Sequence, residues 1–452
     1  MGTPMAETIE DKLNLLQDLI KRAQAQGADA ADAVFAQGTT LSMACRKGEV
    51  EHLERSEGQD LGLRVFVCKS QAIVSSSDTG HGALDELVER AVAMAKLVPE
   101  DPFAGLADPD QLATEFTDFD MFDPSEPSAD ELKETARLAE EAGMAVEGVS
   151  NSEGAEAGFS QSSIAFAASN GFARTYQRSR HSLSASMLAG EGTAMERDYD
   201  YTGAVWAEDL RSATEIGRTA GEKAVKRLNP QKPKTQQVPI VYDNRAARSL
   251  VGHLSGAING SSIARGTSFL QDKMGEAVFA AGVNIIDDPH RMRGLRSSAF
   301  DDEGLPTTAR NIIDDGKLTT WFLDLRSARQ LGLESTGHAG RGVSSPPSPS
   351  ASNLYLAASD VSVEDLIKDI KAGFFITELI GMGVNTVTGD YSRGASGFWI
   401  ENGEITHSVS EVTVAGNLTD MFKRLTPAND LEFLYGVDAP SVRIDGMTLA
   451  GS

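Results

Sequence analysis

The sequence predicts an α+β chain: a duplicated helix–antiparallel-strands–helix N-terminal region followed by a large, mainly antiparallel β C-terminal domain. Three observations predict it. A helical repeat of apolar residues leads into short β-like runs and a second helix; the same order returns further along; and beyond a proline-containing break at 229–234 short strands and Asp-Gly and Asn-Gly turns take over.

The first helix is marked by Ile9, Leu13, Leu16, Ile20 and Ala23 at helical spacing, with Gly27 as the stop. Short strands are expected at 31–36, 41–45, 50–53, 61–68 and 72–75, with a hairpin turn at Lys47-Gly48. A second helix places Leu84, Leu87, Val88, Ala91 and Met94 on its inner face. Ser128 and Glu131 form a capping box that opens the next helix, with Leu132, Thr135, Ala136, Ala139 and Ala142 inward. Strands follow at 155–159, 163–168 and 172–188, with Asn170-Gly171 at a hairpin turn, and a helix at 207–228 closes the unit. The first domain is therefore 1–235, built from units at about 7–97 and 128–228; the second is 236–452.

The joining segment 98–127 has nine acidic residues, no basic ones and five prolines. Such composition favours disorder, yet Phe103, Phe116, Phe119 and Phe122 interleave with the acids, so it is expected to dock on a surface. In the C-terminal half, 238–242 reads as a strand. Asp243 then caps a helix with Leu250, Val251, Leu254, Ala257 and Ile258 inward. Turns at Asp315-Gly316 and Asn402-Gly403, a helix at 363–372 and a final strand at 441–449 complete the series.

Composition narrows the function. With 41 Lys+Arg against 66 Asp+Glu in 452 residues, the net charge is −25, which repels phosphate backbones and anionic lipid. Two cysteines, Cys45 and Cys68, cannot build a disulfide scaffold or a Cys-rich metal site. The N-terminus has neither the basic nor the apolar region of a signal peptide, and Met5 is as plausible a start as Met1. No apolar run has the length of a membrane span, so a cytoplasmic, soluble protein is expected. There is no Walker-type loop, and Gly381-Met-Gly383 is only a fragment of a dinucleotide fingerprint. None of the seven histidines lies within helical ligand spacing of another; His253 stands alone on its helix.

Three C-terminal stretches carry a family signature. Gly266-Thr267-Ser268 follows the helix; a Ser/Pro-rich run from Ser344 to Ser350 leads into Ser352-Asn353-Leu354-Tyr355-Leu356; and 382–418 reads MGVNTVTGDYSRGASGFWIENGEITHSVSEVTVAGNL. Together they resemble the TldD/PmbA family, in its PmbA (TldE) branch, and the resemblance runs over essentially the whole chain. It implies proteolysis. TldD-type members are zinc metalloproteases with His-Glu-x-x-x-His on a helix and a late Cys ligand. They pair with a PmbA-type subunit in a cytoplasmic heterodimer that trims small peptides, including peptide-antibiotic precursors, and degrades unfolded substrates such as antitoxins. An older name calls PmbA a modulator of DNA gyrase.

Anchored on Gly266-Thr267-Ser268, the two metal histidines of the TldD branch fall at Val251 and Gly256 and its general base at Gly252, and nothing after Cys68 is cysteine. None of these positions can hold zinc or move a proton, so catalytic and metal residues are expected in the TldD-type partner and no cofactor in this chain. The resemblance points to Pro346, Pro347, Asn353, Asn385 and Arg393 as peptide-binding residues: prolines leave neighbouring carbonyls free for an added strand, and Arg393 and Asn385 can hold peptide carbonyls or a terminal carboxylate. The expected role is a non-metal partner subunit. Two alternatives stand beside it: a homodimeric peptide-binding module, and a non-metal hydrolase using His338 or His407 near Ser344 or Ser410.

Overall fold

The computed structural model describes residues 8–451; the choice between Met1 and Met5 as the start lies outside the described residues. Helix α1 (Ile9–Ala25) opens with a reciprocal cap, Thr8 and Asp11 each accepting the other's backbone N–H. Strands β1 (Ala30–Arg46), β2 (Glu49–Val67) and β3 (Ser70–Ser76) form a meander, closed by α2 (His81–Ala95). The order then repeats as α3 (Ala129–Met144), β4 (Val149–Ala168), β5 (Ala173–Ala189), β6 (Glu196–Ala204) and α4 (Ala213–Lys226). The two meanders share one six-stranded sheet, ordered β3-β2-β1-β4-β5-β6, joined where β1 and β4 pair antiparallel. Duplication is thus visible as a palindromic strand order.

All four helices cover one face of this sheet. Phe35, Leu61, Leu63 and Val65 pack under α1 and α2; Leu41, Met43, Phe159 and Leu183 pack under α3 and α4. In the second pair the helices touch through backbone: a Cβ on Gly217 would lie 1.7 Å from the Ala139 carbonyl oxygen. Between the pairs the sheet carries Gln37, Thr39, Gln59, Gln161 and Gln177 along an open cleft.

Several expectations are corrected. The short runs at 31–36 and 41–45 are one strand, as are 50–53 and 61–68, because β1 is bonded on both edges and the ladder carries polar residues 37–40 across the gap in the helix layer. The strands at 155–159 and 163–168 likewise merge. Strand β6 was not foreseen, and the helix expected from 207 starts at Ala213. In β6 the inward side chains are Asp198, Asp200 and Thr202, so its burial pattern inverts the usual hydropathy signal. Met94 is 42% exposed, and Ala95 takes the inner position on α2. The expected hairpin turns at Lys47-Gly48, Asp315-Gly316 and Asn402-Gly403 each have positive φ at both residues, the geometry whose twist matches paired strands.

The C-terminal half begins with β7 (Gln236–Tyr242) and α5 (Asn244–Ala257). Strand β7 lies in a sheet between Ala372–Ile380, its parallel neighbour, and Val442–Ala450, its antiparallel one; Asp390–Glu401 and Glu404–Asn417 extend it. Glu404–Asn417 also pairs with Val442–Ala450, closing five strands into a ring around Tyr242, Phe374, Ile376, Val414 and Ile444. The helix expected over 363–372 spans only Val363–Ile367. The Asn402 and Gly403 amides bond the Lys371 and Ile370 carbonyls, and Ala372 enters the ladder opposite Glu401, so strand pairing overrides the helical pattern.

The two halves are joined by buried charge and by segment 98–127. Asp32 of β1 is fully buried between Arg64 of β2 and Arg341 of the C-terminal half, whose Nη1 is 2.6 Å away. Residues 341–343 reach this point because β2 has Gly62 there: a Cβ would lie 1.7 Å from the Val343 carbonyl oxygen. Phe116 packs edge-on to Phe300, with the Arg174 guanidinium 3.9 Å above its ring, and Phe119 stacks on His290. Arg329 donates to the carbonyls of Phe103, Gly105 and Leu106. Among the described residues no helix is long and apolar enough to cross a membrane. Cys45 is buried, Cys68 is exposed, and both are free.

Two predictions follow from this junction. Asp32→Asn leaves two buried guanidiniums without their counter-charge, so unfolding free energy falls by about 3–5 kcal/mol, read as a lower urea midpoint. Asp301 and Glu303 lie buried close by, each with its pKa raised chiefly by desolvation. A raised carboxylate pKa gives stability that is complete below about pH 4 and is lost as pH rises through neutrality. The melting temperature therefore falls between about pH 5 and about pH 9, and Glu303→Gln makes that fall smaller.

Candidate functional site

Helix α5 follows β7 directly, so the sheet fixes its start. Asp243, half-buried, caps it by accepting the Ala246 N–H at 2.7 Å, and desolvation pushes its pKa up to about 6. Ala246, Ala247, Leu250, Val251, Leu254 and Ala257 face the core. Val251 is 2% exposed and belongs to this packing. Gly252 and Gly256 lie on the outer face, where a Cβ on either would meet nothing within 4 Å. His253 sits between the faces, its ring edge-on to Tyr391 at 6.0 Å. Burial and then the Arg393 charge lower its pKa to about 4, so it is a neutral imidazole at pH 7. Its Nε2 and the Nε of Arg393 are buried with no hydrogen-bond partner among the described residues.

The donor set on α5 does not fit a zinc ion. A catalytic zinc takes three protein ligands, whereas this helix carries one imidazole and no carboxylate or thiol. Among the described residues no group of three or more His, Cys, Asp or Glu is placed to hold a metal.

The other candidate residues occupy different settings. Pro346 is exposed and Pro347 buried, just before Ser348–Pro349 pairs with Ala339–Gly340. Asn353 is 4% exposed and spends its amide within the fold: Oδ1 accepts the Arg296 N–H at 2.9 Å, and Nδ2 donates to the Asp288 carbonyl at 2.8 Å and the Ser297 hydroxyl at 2.9 Å. Asn385 is exposed and uses Oδ1 to accept the Val387 N–H, shaping its own turn. Arg393 stands on Asp390–Glu401 beside His253.

A cleft of about 420 Å³ lies between the sheet and the C-terminal half, with Tyr176 and Arg178 of β5 facing Asp302, His338 and Ser350. His338 is buried and uses both ring nitrogens, Nε2 to Asp287 at 3.1 Å and Nδ1 to Thr336 at 2.8 Å. The Ser352 hydroxyl bonds the same Asp287 carboxylate. Asp287 therefore sits between the imidazole and the hydroxyl, the reverse of the order that activates a serine. Ser344 is exposed, and its bonded neighbourhood does not include His338; His407 bonds Thr406. Among the described residues neither His338 nor His407 hydrogen-bonds Ser344 or Ser410.

Sequence reading missed Asp198, Tyr199, Tyr201 and Tyr435, which gather at the N-terminal end of α5. The available signal was the strict alternation Asp-Tyr-Asp-Tyr-Thr in 198–202.

Comparison with known proteins places this architecture. Residues 31–95 match the PmbA/TldA metallopeptidase domain 1, residues 122–228 the central domain and residues 235–451 the C-terminal domain. The metalloprotease PmbA of Escherichia coli O157:H7 is 38% identical over 448 residues, covering 98% of each chain. The metalloprotease PmbA homolog of Haemophilus influenzae is 36% identical, covering 100% of this chain and 99% of its own. Among solved structures, a proposed modulator of DNA gyrase from Bacteroides thetaiotaomicron superposes with a TM-score of 0.90 at 27% identity, over 98% of this chain and 100% of that one. TldE from Thermococcus kodakarensis shares the fold, with a TM-score of 0.85 at 21% identity over 97% of this chain and 100% of its own. With its domains in the same order and its relatives matched end to end, the chain belongs to the PmbA/TldD metallopeptidase family.

Proposed function

We propose that this chain is the non-metal partner subunit of a TldD-type zinc protease in the cytoplasm. It completes a chamber in which small or unfolded peptides, such as peptide-antibiotic precursors and antitoxins, are cleaved at the partner's zinc. The observation that carries this reading is the outer face of α5: where the zinc-bearing relatives have ligands and a base, this helix has Gly252 and Gly256 facing open space and Val251 turned into the core. A metal-bound hydroxide needs ligands and a base that these side chains cannot supply.

The chain's own residues take the part of binding and positioning. Pro346 lies exposed on an extended run, and Pro347 and Asn353 hold that run in shape. The unpartnered Nε of Arg393 gives a donor for a peptide carbonyl or terminal carboxylate, with Asn385 at the near end of the same hairpin. Exposed apolar side chains support a partner surface: Ile380, Met382 and Val387 are 58%, 91% and 55% exposed on one loop beside this hairpin. In the absence of the protease subunit the same surface allows a homodimer, which native mass measurement separates from the heterodimer.

The test is co-expression with a TldD-type subunit, followed by metal analysis and cleavage assays on an unfolded peptide. The complex is expected to hold zinc and cleave, whereas this chain by itself does neither; stoichiometric zinc with activity in the lone chain overturns the proposal. Within the complex, Arg393→Ala is expected to raise KM for the peptide about tenfold with kcat unchanged, the loss of one charge-assisted hydrogen bond made equally in ground and transition states.

A further inference from the structure

Strand β6 presents two aromatic rings on the sheet face opposite the helices. Its register with β5 places Asp198, Asp200 and Thr202 beside the helix-facing Met187, Ala185 and Leu183, and Tyr199 and Tyr201 beside Ser186 and Ser184. A third ring, Tyr435, comes from the C-terminal half and lies nearly parallel to Tyr201, with 14° between planes and 5.7 Å between centroids. All three rings are only partly buried. They line a cleft of about 620 Å³, the size range of small-ligand pockets and enough for a side chain with its adjoining backbone.

Each ring is held by an arginine side chain. Arg248 of α5 sits 3.9 Å over Tyr435, Arg245 of α5 sits 4.7 Å from the Tyr199 ring, and Arg180 donates to the Tyr201 hydroxyl at 2.8 Å. Cation–π contact and this hydrogen bond fix the ring orientations before any ligand arrives. The cleft floor is small and polar, with Ser184 and Ser186. Helical geometry puts Arg245, Arg248, Gly252 and Gly256 on one face of α5, so the side-chain-free stretch of that helix leads away from the aromatic cleft. The charges at the rim offset one another, with Arg197 on Glu153, Glu51 on Arg46, and both Arg180 and Glu156 outside any ion pair among the described residues. Charge therefore selects little here, and the rings are the recognising element.

We propose that the cleft formed by Tyr199, Tyr201 and Tyr435 is a subsite for an aromatic side chain of an unfolded peptide, whose backbone runs along the Gly252–Gly256 face of α5. Aromatic rings gain from stacked and edge-on contact with tyrosine beyond the area they bury. This inference rests on the peptide-handling role proposed above and adds a preference to it.

The experiment compares fluorescently labelled unstructured peptides that differ at one position, Phe, Leu or Ala, binding to the full chain and to its complex with a TldD-type subunit. Anisotropy is expected to show the Phe peptide binding about tenfold tighter than the Ala peptide, with Leu between them. Tyr435→Ala is expected to bring the Phe peptide's affinity down to that of the Ala peptide, and Tyr435→Phe to keep the preference; Tyr199→Ala repeats the test on a different element. Peptide binding without a Phe preference, or a preference that survives both alanine substitutions, overturns the subsite and leaves the peptide-handling role in place. Absence of binding to any peptide by chain and complex overturns both.

Discussion

One buried carboxylate sets the geometry around α5. Asp198, on the edge strand β6, is 4% exposed and bonds Arg227 at 2.6 Å, Arg245 at 2.8 Å and the Tyr199 N–H at 2.7 Å. Burial opposes its charge, but Arg245, Arg227 and the backbone donor outweigh that cost and hold its pKa below the usual carboxylate range. Arg227 also reaches Glu378 and Thr377, and Arg245 the Thr377 carbonyl. Four elements thus share one anion: the end of α4, strand β6, the first turn of α5 and the strand Ala372–Ile380. None can rotate without uncovering a buried charge, which makes the placement of α5 against the N-terminal sheet definite.

That fixed placement decides what lies along the outer face of α5. A glycine-bearing helix face in a loosely packed region would collapse or be covered. Here α5 is pinned at its first turn and packed along its inner side, so Gly252 and Gly256 stay open. The same pins carry Arg245 and Arg248 to the tyrosines of β6 and of the C-terminal half. Under the proposed role, space vacated by side chains becomes room for a peptide backbone, bordered by aromatic rings at one end and by His253 and Arg393 farther along.

Local signals in the sequence translated well where they act over a few residues. The Ser128 capping box, the Asp243 cap and three turns with positive φ at two successive residues were legible because each is settled by neighbouring atoms. Strand lengths were not. Residues 37–40 look like a break in hydropathy, yet pairing on both edges keeps β1 extended through them. Strand β6 was hidden because Asp198 and Asp200 face inward, each neutralised by arginine or lysine from elsewhere in the chain. Of the proposed site, the residue types along α5 could be read from the sequence. The assignment of Asn353 to loop architecture, and the meeting of Tyr199, Tyr201 and Tyr435, could not.

The sequence by itself determined the fold class, the duplicated meander and the family, since these follow from periodicity, turn chemistry and residue identity along the chain. Tertiary structure alone decided which face of α5 stays open, that Val251 is core while Gly252 and Gly256 are surface, and that three tyrosines from two halves of the molecule share a cleft. The physical reason is distance along the chain: buried ion pairs such as Asp32–Arg341 and Asp198–Arg245 join residues far apart in sequence, and no local pattern encodes the partner of a charge.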